Sequence, residues 1–160
     1  MMADERARRR LWLVFFQPCR GAWYERFLAP GFAHVGALSF HADLDCWLVV
    51  QPIWYGGAVV EVRKDDDAAF QAWFAQMVAD ARIILRVPSE KRVGTMVRGG
   101  WCVSVVKGVL GFRSRALTPV QLCKHLLAAG AEVAEVPTRA EIEAKAARQS
   151  GTTSDVHVLH

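Results

Sequence analysis

Apolar and polar positions along the chain change period several times, and each change of period marks an element. Residues 11–17 (LWLVFFQ) form an apolar run stopped by Pro18, the mark of a buried strand. Residues 22–28 read as a short apolar-aromatic helix or turn between Gly21 and the Pro30-Gly31 turn signal. Residues 32–40, 46–53 and 58–63 read as three further strands, rich in β-branched and aromatic side chains. The polar break at 42–45 and Gly56-Gly57 separate them, and breaks this tight make an antiparallel meander the simplest arrangement.

After the strands the period becomes helical. Asp65, Asp66 and Asp67 open the segment, since carboxylates suit the positive end of a helix dipole. Phe70, Trp73, Phe74, Met77 and Val78 then recur at helical spacing and draw one apolar face, the pattern of core packing. Residues 83–87 predict a fifth strand, closed by Pro88. Residues 101–110 predict a helix with Cys102, Val105, Val106, Val109 and Leu110 on one face and Gly111 as its stop. Thr118 as N-cap and Pro119 as first helical residue open another helix, which ends before Gly130. Residues 138–149 (TRAEIEAKAARQ) read as a polar surface helix. The fold class that follows is α+β, an antiparallel meander packed against helices. It forms one domain over residues 11–130, between a basic arm (1–10) and a polar C-terminal segment (131–160).

Composition narrows this picture. A chain of 160 residues fits a single domain, which usually takes about 100–200. No apolar run approaches the roughly 20 residues of a membrane span. Residues 11–16 are too short for a signal-peptide core with a small-residue cleavage site, so export by that route is not expected. The net charge of +4 is concentrated at the start, in Arg6, Arg8, Arg9 and Arg10. Such an arm is either a solvated terminus or a contact for a polyanion. No aromatic residue interleaves with the arginines, so base stacking is not indicated. None of the four cysteines has C-x-x-C spacing, which argues against zinc ribbons and thioredoxin-like motifs and for free thiols. The chain contains no H-E-x-x-H, P-loop, G-x-G-x-x-G or G-x-S-x-G motif. No cofactor or metal is therefore expected.

Two residues carry the candidate chemistry. Cys102 follows Arg98-Gly99-Gly100 and sits on the first turn of a predicted helix. Unpaired N–H groups and the helix dipole favour a thiolate there, and the same N–H groups suit an oxyanion. Its other reading is a small core hydrophobe, because it lies on the apolar stripe. His34 stands in an otherwise apolar strand (FAHVG), where a histidine is structural unless it has a partner; a base for Cys102 is the obvious role. If residues 32–40 and 46–53 form a hairpin, His34 lies opposite positions 51 to 53, where Gln51 is the polar residue that can hold the ring. Asp43, Asp45 and Glu61 are fallback orienters. Cys19 is a rival nucleophile, and Cys46 and Cys123 read as core. His41 ends a strand, His125 is mid-helix, and Gln17 is a weak oxyanion candidate.

Taken together, these residues resemble the circularly permuted NlpC/P60 branch of the papain-like cysteine hydrolases. The matching stretches are FAHVG around His34, GWCVSVVK around Cys102, and WLVVQP around Gln51, over roughly residues 11–130. The order of histidine strand, polar strand and cysteine helix is the specific part. Gln51 stands where the family often has a carboxylate or a polar ring. The resemblance implies a papain-like fold in permuted order. It also implies metal-free amide or ester hydrolysis, or acyl transfer, through a covalent acyl-enzyme on a peptide or acyl substrate. A second reading keeps the fold without the chemistry: a structural protein of a phage or phage-like virion, docked on protein partners through its termini. Cytoplasm or virion is the location either reading implies.

Overall fold

The computed structural model describes residues 10–19, 21–41, 44–52, 58–64, 66–89 and 101–135. Among these residues six strands form one sheet: β1 (Arg10–Gln17), β2 (His34–His41), β3 (Cys46–Pro52), β4 (Ala58–Lys64), β5 (Ile83–Ser89) and β6 (Glu132–Val133). Their order across the sheet is β4-β3-β2-β1-β5-β6, and every neighbouring pair is antiparallel. The meander predicted for β2 to β4 is present. β1 pairs with its start and carries β5 on its other side. Among the described residues three α-helices cover the sheet: α1 (Ala68–Asp80), α2 (Cys102–Leu110) and α3 (Pro119–Ala128). The architecture is α+β.

Strand alternation divides the core in two. Trp12, Val14 and Phe16 of β1, with Val35, Ala37, Val50, Leu85 and Val87, pack on one face against Val103, Val106 and Leu110 of α2 and Leu122 and Leu126 of α3. Phe15 of β1, with Leu38, Val49 and Ile84, packs on the other face against Phe70 and Met77 of α1. Trp73, Phe74 and Val78 complete that second cluster, so the helical stripe read in the sequence is the buried face of α1.

Helix ends follow their chemistry. The Asp67 carboxylate caps α1, accepting from the N–H groups of Ala69 at 2.9 Å and Phe70 at 3.3 Å. Thr118 caps α3, and Gln121 returns the bond to the cap backbone, completing a capping box. Gly111 ends α2 at φ 67°, the left-handed conformation that glycine adopts without strain.

Three expectations need correction. Arg10 belongs to β1 rather than to an arm. Pro88 does not close β5, which runs to Ser89. The register explains why: Pro88 lies opposite Leu11, beyond the short stretch where β6 covers the outer edge, so its missing N–H costs no ladder bond. Residues 132–133, expected in the polar C-terminal segment, add β6 to that edge, and the Ala134 N–H donates to the Ile84 carbonyl at 2.8 Å. Arg6, Arg8 and Arg9 and the helix expected at 138–149 lie outside the described residues.

Two core positions give tests. The ring of Phe15 fills the space that a side chain on Gly36 would need. Gly36→Val should therefore destabilise the fold by about 1–3 kcal/mol through overpacking, read as a lower thermal midpoint. Trp12 is fully buried, and its indole N–H has no hydrogen-bond partner among the described residues. Trp12→Phe removes that unpaired donor and should cost much less than Trp12→Ala, for which about 3–5 kcal/mol is expected from the cavity. Equal losses in denaturant titrations would contradict the packing described.

Candidate functional site

The site assembles where α2 begins, beside the first residues of β2. Trp101 occupies the N-cap of α2 and supplies no side-chain bond to its N–H groups. α1 and α3 both have side-chain caps; among the described residues no side chain caps α2, whose first helical residue is Cys102. The Cys102 thiol is half-buried and faces three backbone N–H groups, those of Val35, Val103 and Cys102 itself.

The Val35 N–H is available for a reason rooted in the sheet. The Phe16 carbonyl accepts from the Arg82 N–H at 2.7 Å, so the backbone of Phe16 faces β5. Backbone polar groups along a strand face alternate neighbours. Stepped through the register, this turns Val35 away from β1 and toward β3. Register pairs between β2 and β3 begin only at Ala37 and Val50, so Val35 lies beyond them, next to the thiol.

Opposing effects act on the thiol. Burial dominates and pushes the Cys102 pKa up; the three N–H groups pull it back, and the nearby Cys19 thiol adds a small further rise. The Tyr24 hydroxyl donates to the Cys19 sulfur at 3.3 Å. Burial, that bond and the charges of Cys19 and Cys102 together drive the tyrosine pKa far above its ordinary value. Cys19, Tyr24 and Cys102 thus share one corner. The sequence treated Cys19 as a rival to Cys102; the fold makes it a neighbour. Tyr24 was missed altogether, and its only sequence signal is a hydroxyl-bearing ring five residues after a cysteine.

His34 is the first residue of β2, opposite Gln17. It is half-buried, and burial lowers its pKa, so the ring is neutral at neutral pH. Among the described residues no hydrogen bond joins it to Cys102. Alternation puts His34 on the sheet face of Gly36 and Leu38, whereas Val35 and α2 occupy the other face. Cys102 lies against the Val35 N–H, while the His34 side chain leaves β2 on the other face. Extending the β2–β3 register sets Gln51 opposite Gly36, on the same face as His34 and diagonal to it. The remaining candidates are elsewhere. Asp45 is exposed in the turn between β2 and β3 at φ 47°. Glu61 pairs with Arg63 at 2.8 Å on the outer strand, and Asp43 lies outside the described residues. Cys46 and Cys123 are buried, as core cysteines. His41 ends β2 opposite Cys46. The His125 ring meets the Ser114 hydroxyl at 2.6 Å, which ties α3 to the preceding loop.

Among the described residues no group of three His, Cys, Asp or Glu side chains is arranged to hold a metal ion, and no helix is long and apolar enough to cross a membrane. The chain matches no family model, no curated protein and no solved structure.

The two shifted groups predict a stability profile. His34 is harder to protonate in the folded state than at its ordinary 6.5, so the unfolded chain binds more protons below that pH. Its effect is absent above 6.5, and stability falls as pH drops below it. Cys102 is harder to ionise than at its ordinary 9.0, so the unfolded chain loses its proton first and stability falls above that pH. Denaturation midpoints should form a plateau between these limits. His34→Gln should flatten the acid side and Cys102→Ser the alkaline side; an unchanged profile in both variants would remove these groups from the account.

Proposed function

We propose that the protein is a thiol-dependent hydrolase or acyl transferase of papain-like type in permuted order, with Cys102 as nucleophile and His34 as its base. The observation that carries this reading is the Cys102 thiol, set at a helix start whose N-cap Trp101 makes no side-chain bond, against backbone N–H groups from two different elements. An orphan helix N–H is a ready oxyanion donor, and a donor aimed where charge develops stabilises the transition state.

The resting pair is neutral on both sides, because burial raises the thiol and lowers the imidazole. Such a pair works by general-base catalysis rather than as a preformed ion pair. The sulfur forms a bond to the substrate carbonyl carbon while its proton passes to His34. The carbonyl electron pair moves onto oxygen, facing the helix-start N–H groups. Collapse expels the leaving group, which takes the proton from the imidazolium and leaves a thioester on Cys102. Water, or an acceptor hydroxyl or amine, then attacks the thioester and releases the thiol. His34 has to close on the sulfur for the first transfer, and catalytic bonds are often long before substrate binds. Gln51, diagonal to His34, is the orienting amide in this scheme.

A second reading rests on the missing hydrogen bond between His34 and Cys102. It is a papain-like protein without activity that packs among partners in a phage or phage-like particle.

The two readings separate with p-nitrophenyl acetate as a probe. The enzyme reading expects a burst of one p-nitrophenolate per chain, with the acetyl group on Cys102 by peptide mass analysis. Cys102→Ala should abolish that burst and Cys19→Ala should keep it. His34→Gln should slow acylation by about 100-fold or more, and the acid limb of the wild-type rate should lie below the ordinary histidine value. No acetyl on Cys102, or equal rates with and without His34, would leave the structural reading.

A further inference from the structure

We infer that β4 is the seam of a two-fold homodimer, in which the β4 strands of two copies pair antiparallel about Val62 and two six-stranded sheets continue as one. β4 is the outermost strand on its side of the sheet, and no described residue pairs with its free edge. Its backbone is oriented for such pairing. Continuing the alternation that starts at the Phe16 carbonyl, Trp47, Val49 and Gln51 face β4, and Arg63, Glu61 and Val59 face back. The N–H and C=O groups of Val60 and Val62 therefore point away from β3. A two-fold axis at Val62 makes it exchange both bonds with its own copy, and the Lys64 N–H donates to the Val60 carbonyl of the copy; the Lys64 carbonyl already accepts from the Asp67 N–H at 3.2 Å.

Side chains favour the same register. Val60 and Val62 are 56% and 68% exposed on the sheet face beyond α2, where monomeric proteins usually place charge or proline to block edge pairing. Pairing about Val62 sets the two Val62 side chains against each other. On the opposite face it places Glu61 of each copy opposite Arg63 of the other, so both cross-strand pairs are of opposite charge. Within one copy these residues already meet at 2.8 Å, with Asp67 at 3.5 Å from Arg63. The dimer thus joins two such clusters into one network. A seam of this kind is isologous and closes after two copies.

Sedimentation equilibrium of the full chain over a concentration series tests this. The expected result is a reversible dimer. Val62→Lys sets two like charges face to face at the axis and should give a monomer. Val62 is exposed, so the variant should keep the wild-type circular dichroism and thermal midpoint of the monomer. Glu61→Arg and Arg63→Glu should each weaken the dimer by about tenfold or more, because each places like charges opposite. The double variant restores opposite pairs and should recover the affinity. A wild-type monomer throughout, a Val62→Lys dimer as tight as wild type, or a double variant no better than the singles would overturn the proposal.

Discussion

The fold rests on a single strand that is buried on both faces. β1 supplies Trp12, Val14 and Phe16 to one apolar cluster and Phe15 to the other, and all four are essentially without solvent exposure. It also pairs with β2 over Leu13–Gln17 on one side and with β5 over Arg10–Phe16 on the other. An apolar strand with two covered faces has to sit centrally, because at an edge it would leave backbone groups and side chains unsatisfied. Its position fixes where β2 lies, and through β2 where the thiol site forms.

From β1 the constraint passes to α2. Its buried stripe fixes which way it faces, but packing alone leaves a helix free to slide along its axis. Polar bonds at the ends remove that freedom. The buried Ser89 hydroxyl, at the end of β5, donates to the Leu110 carbonyl at 2.8 Å, one of the orphan acceptors of a helix end. The Lys107 ammonium donates to the Ser114 and Ala116 carbonyls at 3.0 and 2.8 Å and folds the following loop onto the helix. With its C-terminal end held, the helix presents its start to β2, where the described pairing with β3 has ended.

A thiol in that corner is under two competing influences. Backbone N–H groups favour its ionised form, and loss of water favours the neutral one; burial is the larger. The same loss of water keeps His34 neutral. The balance suits a proton that moves during reaction rather than one already transferred, and it links the chemistry of the corner to how tightly the surrounding core is packed.

Local signals in the chain determined the elements. The apolar run of β1, the helical stripe from Phe70 to Val78, Asp67 and Thr118 as caps and Gly111 as a stop each act within a few residues, so each could be read in order. Cys102 at a helix start and Gln51 near His34 across a hairpin were legible for the same reason, since a helix start and a tight hairpin are short-range facts. Pro88 misled because a proline's cost depends on whether the strand edge beside it is occupied, which is decided by β6, more than 40 residues further on. Tertiary structure alone brought Cys19 and Tyr24 to Cys102, set the Val35 N–H against the thiol with His34 on the other face, and left β4 with its valines as the outermost described strand on its side. Each of these depends on strand order and on which face a helix covers. Sequence periodicity gives which residues share a face, and only the packed sheet decides what that face meets.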